Sequence, residues 1–178
     1  RSAEMHWEVI MKVLILYFSK TGFSQRYAQW LGEALDCRAV PFKERKSVDM
    51  SGYEGIVLFG GLYAGQMSGL KWLKKQLPAL TGKRIAAVAV GCAPMETPDL
   101  PERMEKLFGG TPEIKGFYCQ GGLDYEHMGA VDRAMMAALR AALKAQPDQA
   151  DMLEGISRSF DGSRREYLEP VVQWAGRP

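Results

Sequence analysis

Apolar and polar residues alternate along the chain in two rhythms. Val13 to Phe18 is an unbroken apolar run with β-branched members, the pattern of a strand buried on both faces of a parallel sheet. Apolar positions then recur every fourth residue, at Phe23, Tyr27, Leu31 and Leu35, which is one face of a helix. Cys37 to Phe42 predicts a short second strand, and Ile56 to Phe59 a third that Gly60-Gly61 ends. Leu70, Leu73 and Leu77 carry a helical stripe that Pro78 stops. Ile85 to Val90 predicts a fourth strand ended by Gly91, and Gly116 to Gln120 a fifth ended by Gly121-Gly122. Between them, Asp99-Leu100-Pro101-Glu102 reads as a capping box opening a short helix through Leu107. Met128, Val131, Met135, Leu139 and Ala142 mark a long, alanine-rich helix. Gln146 to Gly155 is the most loop-like connection. Ser163-Arg164-Arg165-Glu166 reads as a second capping box, ahead of a last helix toward Trp174 that Pro170 kinks or restarts.

Strands alternating with helices imply right-handed crossovers and helices on both faces of one sheet. The expected fold is α/β: a doubly wound parallel sheet of five strands in the order 2-1-3-4-5. It occupies residues 11–178 as one domain with a C-terminal helical extension. No repeat, low-complexity tract or interdomain linker breaks the pattern. The ten residues before Met11 read as an N-terminal extension or an expression remnant.

Such sheets bind ligands beyond the carboxyl ends of their strands, where the strand order reverses, here between the first and third. The first strand runs into Ser19-Lys20-Thr21-Gly22-Phe23-Ser24. N–H groups at a helix start lack intrahelical partners, and the helix dipole favours an anion there. Hydroxyls add donors without bulk, and Gly22 lets the backbone turn and approach a ligand. A phosphate monoester satisfies all of these donors. The other use of Ser19 and Thr21 is a plain helix cap, but three hydroxyls and a glycine exceed what capping needs.

Other phosphate loops do not fit. No Gly-x-x-x-x-Gly-Lys-Ser/Thr is present, and Gly82-Lys83 precedes a strand and lacks the hydroxyl. No Gly-x-Gly-x-x-Gly follows a strand. A phosphoacceptor domain needs acidic residues where Ser19 and Gly60 stand. The net charge is +2 with basic residues scattered, so nucleic acid is not an expected partner. Cys37, Cys92 and Cys119 are far apart and form no CxxC pair, which argues against metal and disulfide sites and for a reducing, cytoplasmic setting. No apolar run is long enough to span a bilayer.

The loop Ser19-x-Thr21-Gly22-x-Ser24 resembles the FMN-phosphate loop of flavodoxins, Ser/Thr-x-Thr-Gly-x-Ser/Thr. From Met11 to about Trp174 the layout is similar to the flavodoxin-domain group that includes the flavodoxin-type, menaquinone-dependent protoporphyrinogen oxidase. Gly121-Gly122-Leu123-Asp124-Tyr125, leading into Asp132-Arg133-Ala134-Met135-Met136, supports that branch, as does the C-terminal segment. The resemblance implies an FMN cofactor. Ser19, Thr21 and Ser24, with the N–H groups of Lys20, Gly22 and Phe23, would hold its phosphate. Gly61-Leu62-Tyr63-Ala64-Gly65 would flank the ring, with Tyr63 stacking on it or serving only as a half-buried loop anchor. Gly91-Cys92-Ala93-Pro94 would face the polar ring edge, Cys92 as a packing residue rather than a nucleophile. Gly121, Gly122 and Asp124 would close the far side, or else form a turn and a helix cap.

His127 falls on the ligand side, as a structural or solvated residue or a proton carrier. Met128, Met135 and Met136 read as core rather than as a cofactor wall. Arg133, Arg140 and Lys144 share a helix face, solvated or set against a membrane surface. No acid–base pair stands out. The resemblance implies an oxidoreductase passing electrons between a donor and a small-molecule or quinone acceptor, possible porphyrinogen oxidation included. The alternatives are a one-electron carrier meeting a redox protein and a non-redox module for a phosphate ligand. Ordinary flavodoxin carriers are strongly acidic, and this chain, with a pI near 8.4, is not.

Overall fold

A computed structural model describes residues 11–176; the expectation for the first ten residues lies outside them. In chain order the strands are β1 (Val13–Phe18), β2 (Ala39–Pro41), β3 (Gly55–Tyr63), β4 (Gln66–Met67), β5 (Arg84–Gly91), β6 (Ile114–Gln120), β7 (Gly122–Leu123) and β8 (Phe160–Asp161). The α-helices are α1 (Phe23–Leu35), α2 (Leu70–Gln76), α3 (Leu100–Phe108), α4 (Ala130–Lys144), α5 (Ala150–Ile156) and α6 (Glu169–Ala175). Parallel pairing runs β2-β1-β3-β5-β6, the expected 2-1-3-4-5 order of the five main strands.

The continuous apolar runs follow from burial on both faces, because successive side chains point to opposite sides. Val13, Ile15, Val57, Phe59, Ala86 and Val88 pack against Tyr27 and Leu31 of α1 and Val171 of α6. Leu14, Leu16, Ile56, Leu58, Ile85 and Ala87 pack against Leu70 and Leu73 of α2 and Leu100 and Phe108 of α3.

Several boundaries differ from the sequence reading. β2 shrinks from Cys37–Phe42 to three residues, because Phe42 starts a 3₁₀ turn and Pro41 suits only an edge strand. Gly60-Gly61 does not end β3. The strand runs through both, Gly60 pairing with Ala89 and Gly61 with Val90, and then folds back on β4. Ala64 and Gly65 at that hairpin both have positive φ, 49° and 76°, as a primed turn requires. Neither proposed capping box forms. Asp99 stands at the start of α3, but its carboxylate accepts from Arg103 Nε at 2.9 Å. The Ser163 hydroxyl is engaged by Asp161 and Arg26, and Arg165–Leu168 is a 3₁₀ turn. Pro170 does restart the chain as a helix, in the first turn of α6. The stretch Gln146–Gly155 contains most of α5 instead of a loop.

The final connection departs most from a simple crossover. β7 pairs antiparallel with β8, so everything between them is an excursion that leaves the sheet edge and returns. Arg26 of α1 ties its base down through Asp161 and through Ser163 Oγ at 2.7 Å. Tyr125 organises its interior. Its N–H donates to Ser159 Oγ at 2.9 Å, and its hydroxyl donates to the Ile156 carbonyl and accepts from Arg140 at 2.8 Å. Arg133 donates to the carbonyls of Tyr125 and Met128. These two arginines therefore brace the excursion, where the sequence suggested a merely solvated or membrane-facing stripe. No helix among the described residues is long and apolar enough to cross a membrane.

The β6 end of the core holds a group with a pH consequence. Cys119 is fully buried, and burial pushes its thiol up from 9.0 to about 12. Burial likewise raises the phenols of Tyr27 and Tyr118. Below pH 9.0 the thiol is neutral folded and unfolded, so its contribution is fully present. Above that, only the unfolded chain ionises, and stability falls as pH rises toward about 12. The expected loss is about 1.4 kcal/mol per pH unit per group at most. Urea midpoints measured across that window should decline, and less steeply in Cys119→Ala. A flat profile would contradict this.

Candidate functional site

The carboxyl ends of β1, β3 and β5 and the excursion enclose a cavity of about 460 Å³, within the range of about 300–1,000 Å³ common for small-ligand sites. Its first side is the loop after β1. Ser19, Lys20, Thr21, Phe23 and Ser24 all line it. Gly22 does not, but it makes the turn possible. Its φ is +97°, and an added Cβ would meet nothing within 4 Å, so the backbone is open to close approach. Its N–H donates to Ser19 Oγ at 3.0 Å. That corrects the expectation that this N–H is free for a ligand; the bond leaves the Ser19 hydroxyl proton as the donor. The first α1 N–H groups, Phe23 and Ser24, precede the first helical bond, Arg26 N–H to Gly22 O at 3.0 Å, and have no helical partner.

Three further loops face the Ser19–Ser24 loop across the cavity. Leu62, Tyr63 and Ala64 form one wall, Gly91 and Cys92 the next, and Gly122, Leu123 and Asp124 a third. Gly65 and Ala93 lie outside, lining a neighbouring groove. Gly121 is a packing glycine, since a Cβ there would come within 2.8 Å of Val90 and 3.0 Å of Phe23. Lys20 Nζ lies 4.6 Å from the Tyr63 ring centroid and 3.3 Å from Asp132 of α4. Burial, then the Asp132 charge, raises the Tyr63 phenol, so it stays protonated near neutrality. Burial also pushes the Cys92 thiol up, which leaves it a poor nucleophile.

Asp124 and His127 form their own pair, 2.7 Å apart, with the imidazole largely in solvent. Desolvation opposes the Asp124 charge, but hydrogen bonds from His127 and from backbone N–H groups outweigh it and lower the pKa. His127 does not line the cavity.

The roof is the part that sequence reasoning missed. Met128, Met135 and Met136 were expected in the core. They line the cavity instead, with Leu139 of α4 and Met152 and Ile156 of α5. α4 buries only Leu143, and Met135 is 46% exposed. A signal was present: this apolar stripe follows the last sheet strand, so no later strand of the sheet needed it as a crossover. Methionine suits such a roof because its unbranched thioether adapts to different shapes.

The arrangement can hold an elongated ligand with an anionic end and a flat, apolar body. No curated protein sequence matches the chain. Among solved structures it is similar to the Trp repressor binding protein of Bacillus subtilis, at 16% identity over 76% of this chain and 98% of that one, with a TM-score of 0.44. It is similar to oxidised flavodoxin 2 of Bacillus cereus, at 20% identity over 75% and 99%, TM-score 0.41. A flavodoxin from the domain Archaea follows, at 17% over 83% and 100%, TM-score 0.38. Residues 14–150, well over half of the chain, match the family described as the flavodoxin domain, and the chain belongs to that family.

Proposed function

We propose that the chain binds FMN and works as an oxidoreductase with a small-molecule partner. The observation that carries this reading is the continuity of one cavity from the anion-binding loop at Ser19–Ser24 to the walls at Tyr63, Cys92 and Asp124. A small phosphate ligand needs only the first part. The residues present fit the cofactor: an open glycine turn, hydroxyl donors and unpartnered helix N–H groups at one end, and an aromatic and apolar slot at the other.

Ser19, Thr21 and the Phe23 and Ser24 N–H groups would hold the phosphate. Tyr63 would orient the ring, with Lys20 Nζ held 4.6 Å from the Tyr63 ring centroid. The Met128–Met136 stretch, Leu139 and Met152 would exclude water from above. The flavin supplies the electron-transfer chemistry; the protein fixes its orientation and access. A net charge of +2 lacks the acidic field of a carrier that docks basic partners. That favours a small-molecule or quinone acceptor, with porphyrinogen oxidation the specific activity to assay.

Tyr63→Ala tests the ring site separately from the phosphate loop. Loss of an aromatic contact should weaken FMN roughly three- to tenfold, while inorganic phosphate competes as before. Equal FMN affinity in the two proteins would remove the ring from this slot.

A further inference from the structure

A second groove, of about 800 Å³, lies against the cavity and shares Leu62, Ala64, Gly91, Cys92 and Met152 with it. Its floor is apolar, with Leu70 of α2 and Met104 and Leu107 of α3. Its rim carries Lys71 and Lys74 on α2 and Arg103 and Lys106 on α3, and no carboxylate lines it. Asp99 meets Arg103 and Glu102 meets Lys106, each at 2.9 Å, so α3 is partly neutralised. Lys71 and Lys74 have no acidic partner among the described residues. Three positions apart on one helix, they are neighbours on one face.

Lysines on a free surface are common. Here they stand over an apolar concavity that opens onto the flavodoxin cavity, where a charge focuses a field on whatever enters. We propose that this groove binds the protein's second reactant, an anionic small molecule with an apolar body. Its charge meets Lys71 and Lys74, and its body lies on the Leu70–Leu107 floor and reaches Leu62 and Cys92. The assignment rests on the flavin reading for what lies across those shared residues; the groove itself does not. Concavity and an apolar floor fit a small molecule better than the flat acidic patch of a protein.

Calorimetric titration of the FMN-treated protein with naphthalenesulfonate, an apolar-bodied anion, and with uncharged naphthol tests this. The double substitution Lys71→Glu and Lys74→Glu should weaken the sulfonate roughly tenfold and leave naphthol unchanged. Raised salt should weaken only the sulfonate in the unaltered protein. Equal sulfonate binding in both proteins, or a parallel loss of naphthol, would overturn the proposal. FMN affinity in the same samples separates the two readings. A protein that refuses FMN yet keeps the charge-selective difference retains the groove and loses the flavin. One that binds FMN without that difference retains the flavin and loses the groove.

Discussion

Thr21→Glu should weaken FMN binding by at least about a hundredfold, some 2.7 kcal/mol, without unfolding the protein. Thr21 lines the cavity in the loop proposed to hold the phosphate. A carboxylate there meets a phosphate carrying up to two negative charges at close range. Like charges about 4 Å apart repel by about 1 kcal/mol in water and about 4 kcal/mol at an effective dielectric near 20. The substitution also deletes a hydroxyl donor. Fold stability should not suffer, because a negative side chain just ahead of α1 interacts favourably with the helix dipole. Thr21→Ser keeps the donor and should bind within a few-fold of the original. Fluorescence titration of FMN into the three proteins decides it. Comparable affinity for the glutamate variant would mean that the phosphate sits elsewhere.

Gly60→Ala should destabilise the fold by about 2–4 kcal/mol. A Cβ at this position would lie 2.1 Å from the Ser68 carbonyl oxygen and 3.2 Å from the Met67 side chain. The obstacle is backbone, and it is anchored. The Ser68 N–H donates to the Gly61 carbonyl at 3.0 Å, and Gly60 is paired on both sides, to Phe18 and to Ala89. Gly65→Ala is the contrast. Its φ is +76° but its Cβ would meet nothing, so only the conformational cost of about 1 kcal/mol applies. Urea unfolding of both variants checks the ranking. A Gly60→Ala midpoint within error of the original would show that the crossing of Met67–Gly69 over β3 is loose.

The same glycine explains why parts of the fold were hard to read. The strand runs were legible because a doubly covered sheet demands apolar residues at every position, at Leu14 and Ile15 alike. Gly60-Gly61 looked like punctuation because sequence does not distinguish a glycine that ends a strand from one that lets another segment cross it. Asp99 and Ser163 had the composition of caps, but Asp99 pairs instead with Arg103 one turn further along α3, and Ser163 with its neighbour Asp161 and with the distant Arg26. The short α5 was hidden by its polar surroundings and Pro147.

The site divided along similar lines. The Ser19–Ser24 loop was legible because local geometry alone makes it: a strand end, a left-handed glycine and a helix start. The roof was not. Periodicity showed that Met128, Met135 and Leu139 share an apolar face, but not that this face turns toward a cavity. That depends on the β7–β8 pairing, which joins residues far apart in sequence. Asp132 was likewise invisible as a site residue until Lys20 reached it.

The most direct measurement is a titration of the purified protein with FMN, followed by the flavin's visible absorbance and fluorescence. FMN binding in the cavity predicts saturation at one equivalent, a shifted absorbance band, fluorescence quenched against the Tyr63 wall, and loss of all three in Thr21→Glu. A flavin spectrum unchanged from that of free FMN, with a large excess of protein present, would contradict it.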